Sequence, residues 1–180
     1  MIEGVTDFRF CHGLEHPELN VNGRRNRMIG RGTFARVYES RHAKRVLKVT
    51  TDEYAYMAHT DAVAKLGGKY FPRVYRDFGV IGHMYDGRAL YMVEIERLKA
   101  ARLPRYWYAP PCIVPDWVVK KVREFVDQYD GRCIEDIHSK NIMRRVGTGD
   151  YVVCDPVCDY DQMREYEHRY LYGGGYSEIF

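Results

Sequence analysis

Asp136 and Asn141 stand five residues apart in the run from Cys133 to Asp155, and Asp155 follows Asn141 by fourteen. An aspartate, an amide and a second aspartate are the groups that phosphoryl transfer to a hydroxyl requires. One carboxylate orients the hydroxyl and accepts its proton, while an amide oxygen and the other carboxylate hold Mg²⁺ on the phosphates. Alone, a D-x4-N spacing is weak, so the inference depends on what lies upstream. Asp155 closes the β-branched segment Tyr151-Val152-Val153, which predicts a short strand delivering that carboxylate to a sheet end.

Upstream, the stretch MIGRGTFARVYES contains Gly30 and Gly32, followed by Phe34 and Val37. Glycines let backbone amides approach phosphate oxygens, and Phe34 is placed to fold over a ligand as a lid. A plain glycine-rich hairpin bulge is the structural alternative. Ala35 occupies the third glycine position and a strand follows, which argues against a dinucleotide-binding fingerprint. Lys48 lies sixteen residues after Gly32, inside VLKV, where strand alternation predicts exposure on one face. It is either the polar half of an ordinary strand or the cation that pairs the nucleotide phosphates, and the preceding glycines favour the second. Glu53, the acid nearest Lys48, reads either as its partner or, with Thr50, as a capping box.

These residues need elements to hold them. Residues 1–27 mix His, Pro, Asn and Gly without a period and read as a loose lead-in. Residues 28–98 read as an N-terminal half: two strands to Thr50, a helix over Thr51–Leu66, and two strands over Tyr70–Leu98 that complete an antiparallel sheet of four or five. Glu94-Ile95-Glu96 at its end is expected to be a hinge whose backbone amide and carbonyl face an adenine. Residues 99–180 read as a smaller half, with a proline-rich connector and a helix capped by Asp116 with Trp117, Val118, Val122, Phe125 and Val126 as its apolar face. The phosphoryl-transfer stretch follows, then a short helix around Gln162–Tyr172.

Composition sets bounds. The chain has 180 residues, 46% hydrophobic, enough for one domain or one two-lobed domain with a real core. Its 28 basic and 25 acidic side chains leave a net charge of +3, a balance that argues neither for nor against a nucleic-acid partner, and no direct nucleic-acid binding is expected. The five cysteines (Cys11, Cys112, Cys133, Cys154 and Cys158) form no C-x-x-C pair, so reduced cytosolic thiols are expected rather than a disulfide framework or structural zinc. Cys11, His12 and His16 have no partner pair at ligand spacing. No leader pattern and no membrane-length apolar run are present, which predicts a cytoplasmic chain without a membrane partner.

Taken in order, Gly30-x-Gly32-x-Phe34-Ala35-x-Val37, Val46-Leu47-Lys48-Val49, Asp136-x4-Asn141 and Asp155 resemble the protein kinase set. More narrowly, DIHSKNIM followed by GDYVVCDPV is similar to the early serine/threonine protein kinases of T-seven-type bacteriophages (autographiviruses). The likeness covers about Ile29 to Asp159 and is concentrated in the catalytic stretch. It implies an α+β, bilobal protein-kinase-like fold with an antiparallel N-terminal sheet plus one helix and a reduced helical C-terminal lobe. It further implies an ATP- and Mg²⁺-dependent enzyme in the host bacterial cytoplasm that phosphorylates host proteins of transcription and RNA processing, contributes to host transcription shutoff and can autophosphorylate. By match, Asp136 is the catalytic base, Asn141 and Asp155 the metal ligands, Lys48 the phosphate-pairing lysine, and Gly30 and Gly32 the phosphate loop.

The chain also departs from the pattern. Ile134-Glu135 replaces His-Arg before the base, and His138 stands where a lysine is usual, with Lys140 four after the base. Lys140 could meet the γ-phosphate by charge and His138 by hydrogen bond, or His138 could brace the loop. Two other readings are a small-molecule phosphotransferase of the aminoglycoside-kinase type, and a kinase-like module that only binds a host protein.

Overall fold

Two sequence features at the start of the chain make strands where a loose lead-in is expected. Asn22 and Gly23 both take positive φ (53° and 73°), the geometry of a two-residue hairpin turn whose twist matches the flanking strands. They join β2 (Leu19–Val21) to β3 (Arg24–Asn26), and β1 (Val5–Phe8) adds to β2, giving a three-stranded antiparallel sheet. The computed structural model describes residues 5–8, 19–62, 69–84, 86–104 and 113–172. Cys11, His12, His16 and Cys112 lie outside them.

The next element is a five-stranded antiparallel sheet, ordered β4 (Met28–Arg31), β5 (Ala35–Glu39), β6 (Arg45–Thr50), β8 (Ala89–Glu96) and β7 (Val74–His83). The single strand expected before Ser40 is two strands, because the chain turns at Gly32–Phe34, where Gly32 N–H donates to the Ala35 carbonyl at 2.9 Å. One face packs Leu19, Tyr38, Leu47, Val49, Phe78, Leu90 and Met92 into a core. The other is covered by α1 (Glu53–Met57), which continues as a π-helical turn over Ala58–Ala62.

Asp52 caps α1, its Oδ1 accepting from Ala55 N–H at 2.8 Å, so the expected Thr50–Glu53 capping box is not the device used. Thr50 Oγ1 instead donates to the Phe34 carbonyl and accepts from Asp52 N–H.

The remaining chain builds a second core. Helix α2 (Asp116–Val126) buries Val118, Val122 and Phe125, while Trp117, expected on that face, is 50% exposed. Its N-cap is Pro115, without a side-chain cap; Asp116 is the first helical residue. Two small antiparallel sheets follow, β10 (Cys133–Glu135) with β13 (Val157–Asp159), and β12 (Tyr151–Val153) with β11 (Ile142–Arg145) and β9 (Leu98–Ala100). Helix α3 (Tyr160–Tyr172) ends the described chain.

The molecule is thus α+β, with antiparallel sheets and three α-helices among the described residues. No helix there is long and apolar enough to cross a membrane. Cys133, Cys154 and Cys158 are free thiols.

The two cores are tied together by Arg145. Its buried guanidinium donates to both oxygens of Glu96 (2.9 and 3.1 Å) and to the carbonyls of Lys69 (3.0 Å) and Phe71 (3.1 Å). Phe71 and Ala58 pack with α2, Ile137, Ile142, Val153 and Val157 in one cluster.

Candidate active site

Each polar residue of the phosphoryl-transfer stretch is a chain neighbour of a buried aliphatic. Ile137 follows Asp136, Ile142 follows Asn141 and Val157 follows Asp155-Pro156; all three are at most 3% exposed. These anchors fix a loop whose polar atoms face away from the core. Two antiparallel pairs then bring the ends of the stretch together. Glu135 opposes Val157, with Asp136 N–H donating to the Pro156 carbonyl at 2.9 Å. Ile142 opposes Val153, with Cys154 N–H donating to the Asn141 carbonyl at 2.8 Å. Asp136, Asn141 and Asp155, up to nineteen residues apart in sequence, thereby share one corner.

Within that corner the Asn141 side chain is oriented by hydrogen bonds. Its Nδ2 donates to Asp136 Oδ2 at 2.7 Å and to the Asp136 carbonyl at 2.9 Å. Both donor contacts fall on the NH₂ group, leaving the amide oxygen as an acceptor. His138 Nε2 lies 3.1 Å from Asp136 Oδ1 and 3.3 Å from Asn141 Nδ2, and His138 Nδ1 accepts from Lys140 N–H at 3.2 Å. His138 therefore braces the loop, while Lys140 is exposed beside it.

Lys48 is brought to the same corner from the sheet. Gly30, Val37, Lys48 and Val93 form one cross-strand row over β4, β5, β6 and β8. Lys48 is 4% exposed, contrary to the expected open strand face, because α1 and the Asp155 loop cover it. Its Nζ sits 2.9 Å from Asp155 Oδ1 and 3.1 Å from His59 Nε2. Asp155 Oδ1 is buried and has no well-angled hydrogen bond, so the ion pair with Lys48 is what balances it. Burial raises the Asp155 carboxyl above its ordinary range, Lys48 opposes this, and the Asp136 charge adds to the rise.

His59 is the residue that sequence reasoning missed. It is 1% exposed, in the π-helical turn, and burial with Lys48 beside it holds the imidazole well below its usual range, hence neutral near pH 7. A neutral ring nitrogen can accept from the lysine ammonium. The signal was readable: Ala55, Ala58 and His59 fall at i, i+3 and i+4 on the buried stripe of the helix. Glu53 is exposed at the first turn, beside the Tyr91 hydroxyl, and is not the group on Lys48.

Other expected contacts are distributed differently. Glu94 and Ile95 lie inside β8 with ladder partners on both sides (Leu47 and Arg76, Val46 and Val74), so their backbone groups belong to the sheet. The Glu94 side chain takes Ser40 and Arg45, and Glu96 takes Arg145. Any adenine-facing backbone would have to lie beyond them, where Leu98–Ala100 leaves the sheet to pair with β11. Phe34 is not a free lid. Its ring meets Tyr166 of α3 edge to face at 6.2 Å, and its carbonyl accepts from Thr51 N–H and Thr50 Oγ1, both at 3.1 Å. Gly30 and Gly32 both lie outside the left-handed region, so close approach, not backbone freedom, is the property they lend the loop.

No protein-family model matches the chain, and no curated sequence matches it. Among the described residues no group of three or more His, Cys, Asp or Glu is arranged to hold a metal by itself. The Asn141 amide oxygen and the Asp155 carboxylate, its Oδ1 paired with Lys48, are nevertheless hard-oxygen donors of the type Mg²⁺ takes when phosphates and water complete its sphere.

Proposed function

We propose that the chain is an ATP- and Mg²⁺-dependent protein serine/threonine kinase with a reduced, two-lobed kinase-like architecture, acting on host proteins during phage infection. The observation that carries this reading is the convergence of Lys48, Asp136, Asn141 and Asp155 on one corner from two separate cores. Asn141 and Asp155 would hold Mg²⁺, which neutralises charge on the nucleotide phosphates and fixes their orientation. Asp136, clamped by Asn141 and His138, orients the acceptor hydroxyl and takes its proton. Lys48 pairs the phosphates once drawn from Asp155, and His59 keeps its amine directed. Lys140 supplies positive charge beside the loop.

A groove lined by Trp117, Lys120, Arg123, Glu135 and Ile137, on α2 and the chain flanking Asp136, offers a surface for a polypeptide acceptor. The exposed Trp117 favours a peptide over a small molecule. The displacement of Glu53 from Lys48 favours a second reading, a module that binds a host protein without transferring phosphate.

Labelled ATP and Mg²⁺ added with the protein to a bacterial lysate should label proteins, and Asp136→Ala should abolish it. Label on an added small-molecule acceptor alone would overturn the protein-kinase reading. Absence of label, with a host protein still retained by the folded chain, would establish the binding module instead.

A further inference from the structure

The net charge of +3 conceals an uneven distribution. Residues 19–104 carry 17 Lys and Arg against 8 Asp and Glu, whereas residues 1–18 carry 1 against 4 and residues 105–180 carry 10 against 13. An excess of nine positive charges is therefore confined to the middle of the chain. The antiparallel registers gather much of it at one end of the five-stranded sheet. Arg27 precedes β4, Arg41 and Lys44 lie in the turn between β5 and β6, Arg73 precedes β7, and Arg97 follows β8. Backbone bonds confirm the closeness: Arg97 N–H donates to the Lys44 carbonyl at 2.9 Å, and Glu96 N–H to the Arg73 carbonyl at 2.8 Å. Arg24, Arg27 and Arg97 all act on the one carboxylate of Glu39. Lys99 stands two residues beyond Arg97.

Among the described residues, the acids at this end are already taken. Glu39 pairs with Arg27 at 2.7 Å, Glu94 with Arg45 at 3.1 Å and Glu96 with Arg145 at 2.9 Å. Arg24, Arg41, Lys44, Arg73, Arg97 and Lys99 have no ion-pair partner among the described residues. Beside Arg73 lies Tyr75, 41% exposed, with the Arg45 guanidinium 4.1 Å over one ring face. Guanidinium forks with no acid partner among the described residues, next to an exposed aromatic ring, match a phosphodiester backbone with an unstacked base.

We infer that this end of the sheet binds single-stranded nucleic acid through its phosphates, with Tyr75 as a stacking platform. None of the six cations belongs to the phosphoryl-transfer corner, so the inference stands apart from the kinase reading. A binding surface for RNA or DNA would bring the enzyme to acceptors that are themselves bound to nucleic acid.

Fluorescence anisotropy of labelled dT and U single strands of about 20 nucleotides tests it, and the two strands decide between DNA and RNA. Six phosphate contacts on a single strand give a log–log salt slope of about −4, a loss of about 300-fold in affinity between about 50 and 200 mM salt. Removing three, with Lys44→Gln, Arg73→Gln and Arg97→Gln together, should halve the slope to about −2 and so reduce the loss to about 20-fold. A Tyr75→Ala variant should weaken binding by about 5- to 150-fold without changing the slope. Arg164→Gln with Arg169→Gln, on α3, should change neither. Absence of binding at the lower salt, an unchanged slope in a triple variant that unfolds at the wild-type temperature, or equal binding of a poly-glutamate chain would each overturn the inference, the last in favour of an acidic protein surface.

Discussion

Replacing His59 tests whether it positions Lys48 or merely fills space. The neutral ring offers one acceptor to the buried ammonium at 3.1 Å, and Asp155 offers the other at 2.9 Å. When Asp155 turns to a cation, His59 is the remaining group that directs the amine. A hydrogen bond to a charged group contributes about 1.5–3 kcal/mol, so His59→Ala should raise KM for ATP by about 10- to 150-fold. It should also destabilise the fold, because a fully buried side chain is removed and a cavity left. His59→Gln separates the two effects, since its amide oxygen can accept from Lys48 while its volume stays close to that of imidazole. We expect the Gln variant to hold KM within about threefold of wild type. The assay is steady-state transfer from ATP, with thermal unfolding of each variant alongside. If both variants are folded and neither changes KM, His59 does not position Lys48 and that part of the site's description is wrong.

Three further outcomes follow from the structure. Arg145→Ala should destabilise the chain by about 3–5 kcal/mol, because Glu96 and two carbonyls lose their buried donor together; a loss under about 1 kcal/mol by denaturant titration would contradict the tie between the cores. Asp52 is buried and its carboxyl is pushed up to about 6 from 3.8, chiefly by burial. The folded state then holds this proton more tightly than the unfolded one, so its contribution is full below about pH 3.8 and is lost as pH rises through about 6. Wild type should lose about 2 kcal/mol between pH 4.5 and 7 that Asp52→Asn does not lose, and an equal slope in both would exclude this. Gly32→Ala meets nothing within 4 Å and should leave stability within about 0.5 kcal/mol, while weakening ATP binding if the loop approaches phosphates; unchanged binding would remove Gly32 from the site.

Much of this arrangement was legible in the chain. Alternating β-formers over Arg45–Thr50 and Ala89–Glu96 marked the strands, and Tyr151-Val152-Val153 marked the one that delivers Asp155. The two residues of the D-x4-N spacing meet because a 3₁₀ turn at Ser139–Asn141 returns the amide to the aspartate. What was not legible depends on contacts distant in sequence. Burial of Lys48 needs α1 and the Asp155 loop to close on β6, and no local pattern states that. Glu53 was one of two open readings by proximity in sequence, yet the helix turns it outward, and the π turn sets His59 on the lysine. The Asn22-Gly23 hairpin could have been read from its dipeptide, but Pro, His and Asn around it obscured the flanking strands. The charge asymmetry was present in the residue counts, and only the sheet register shows that its members meet.

The most direct test of the central claim is transfer of the γ-phosphate by the purified protein, measured beside its Mg²⁺-dependent binding of ATP. The account predicts that wild type binds and transfers, that Asp136→Ala binds with little change but transfers at least about 100-fold more slowly, and that Asp155→Asn loses the Mg²⁺ dependence of binding. Transfer at the wild-type rate by Asp136→Ala, or a folded wild-type protein that binds no nucleotide with Mg²⁺, would contradict it.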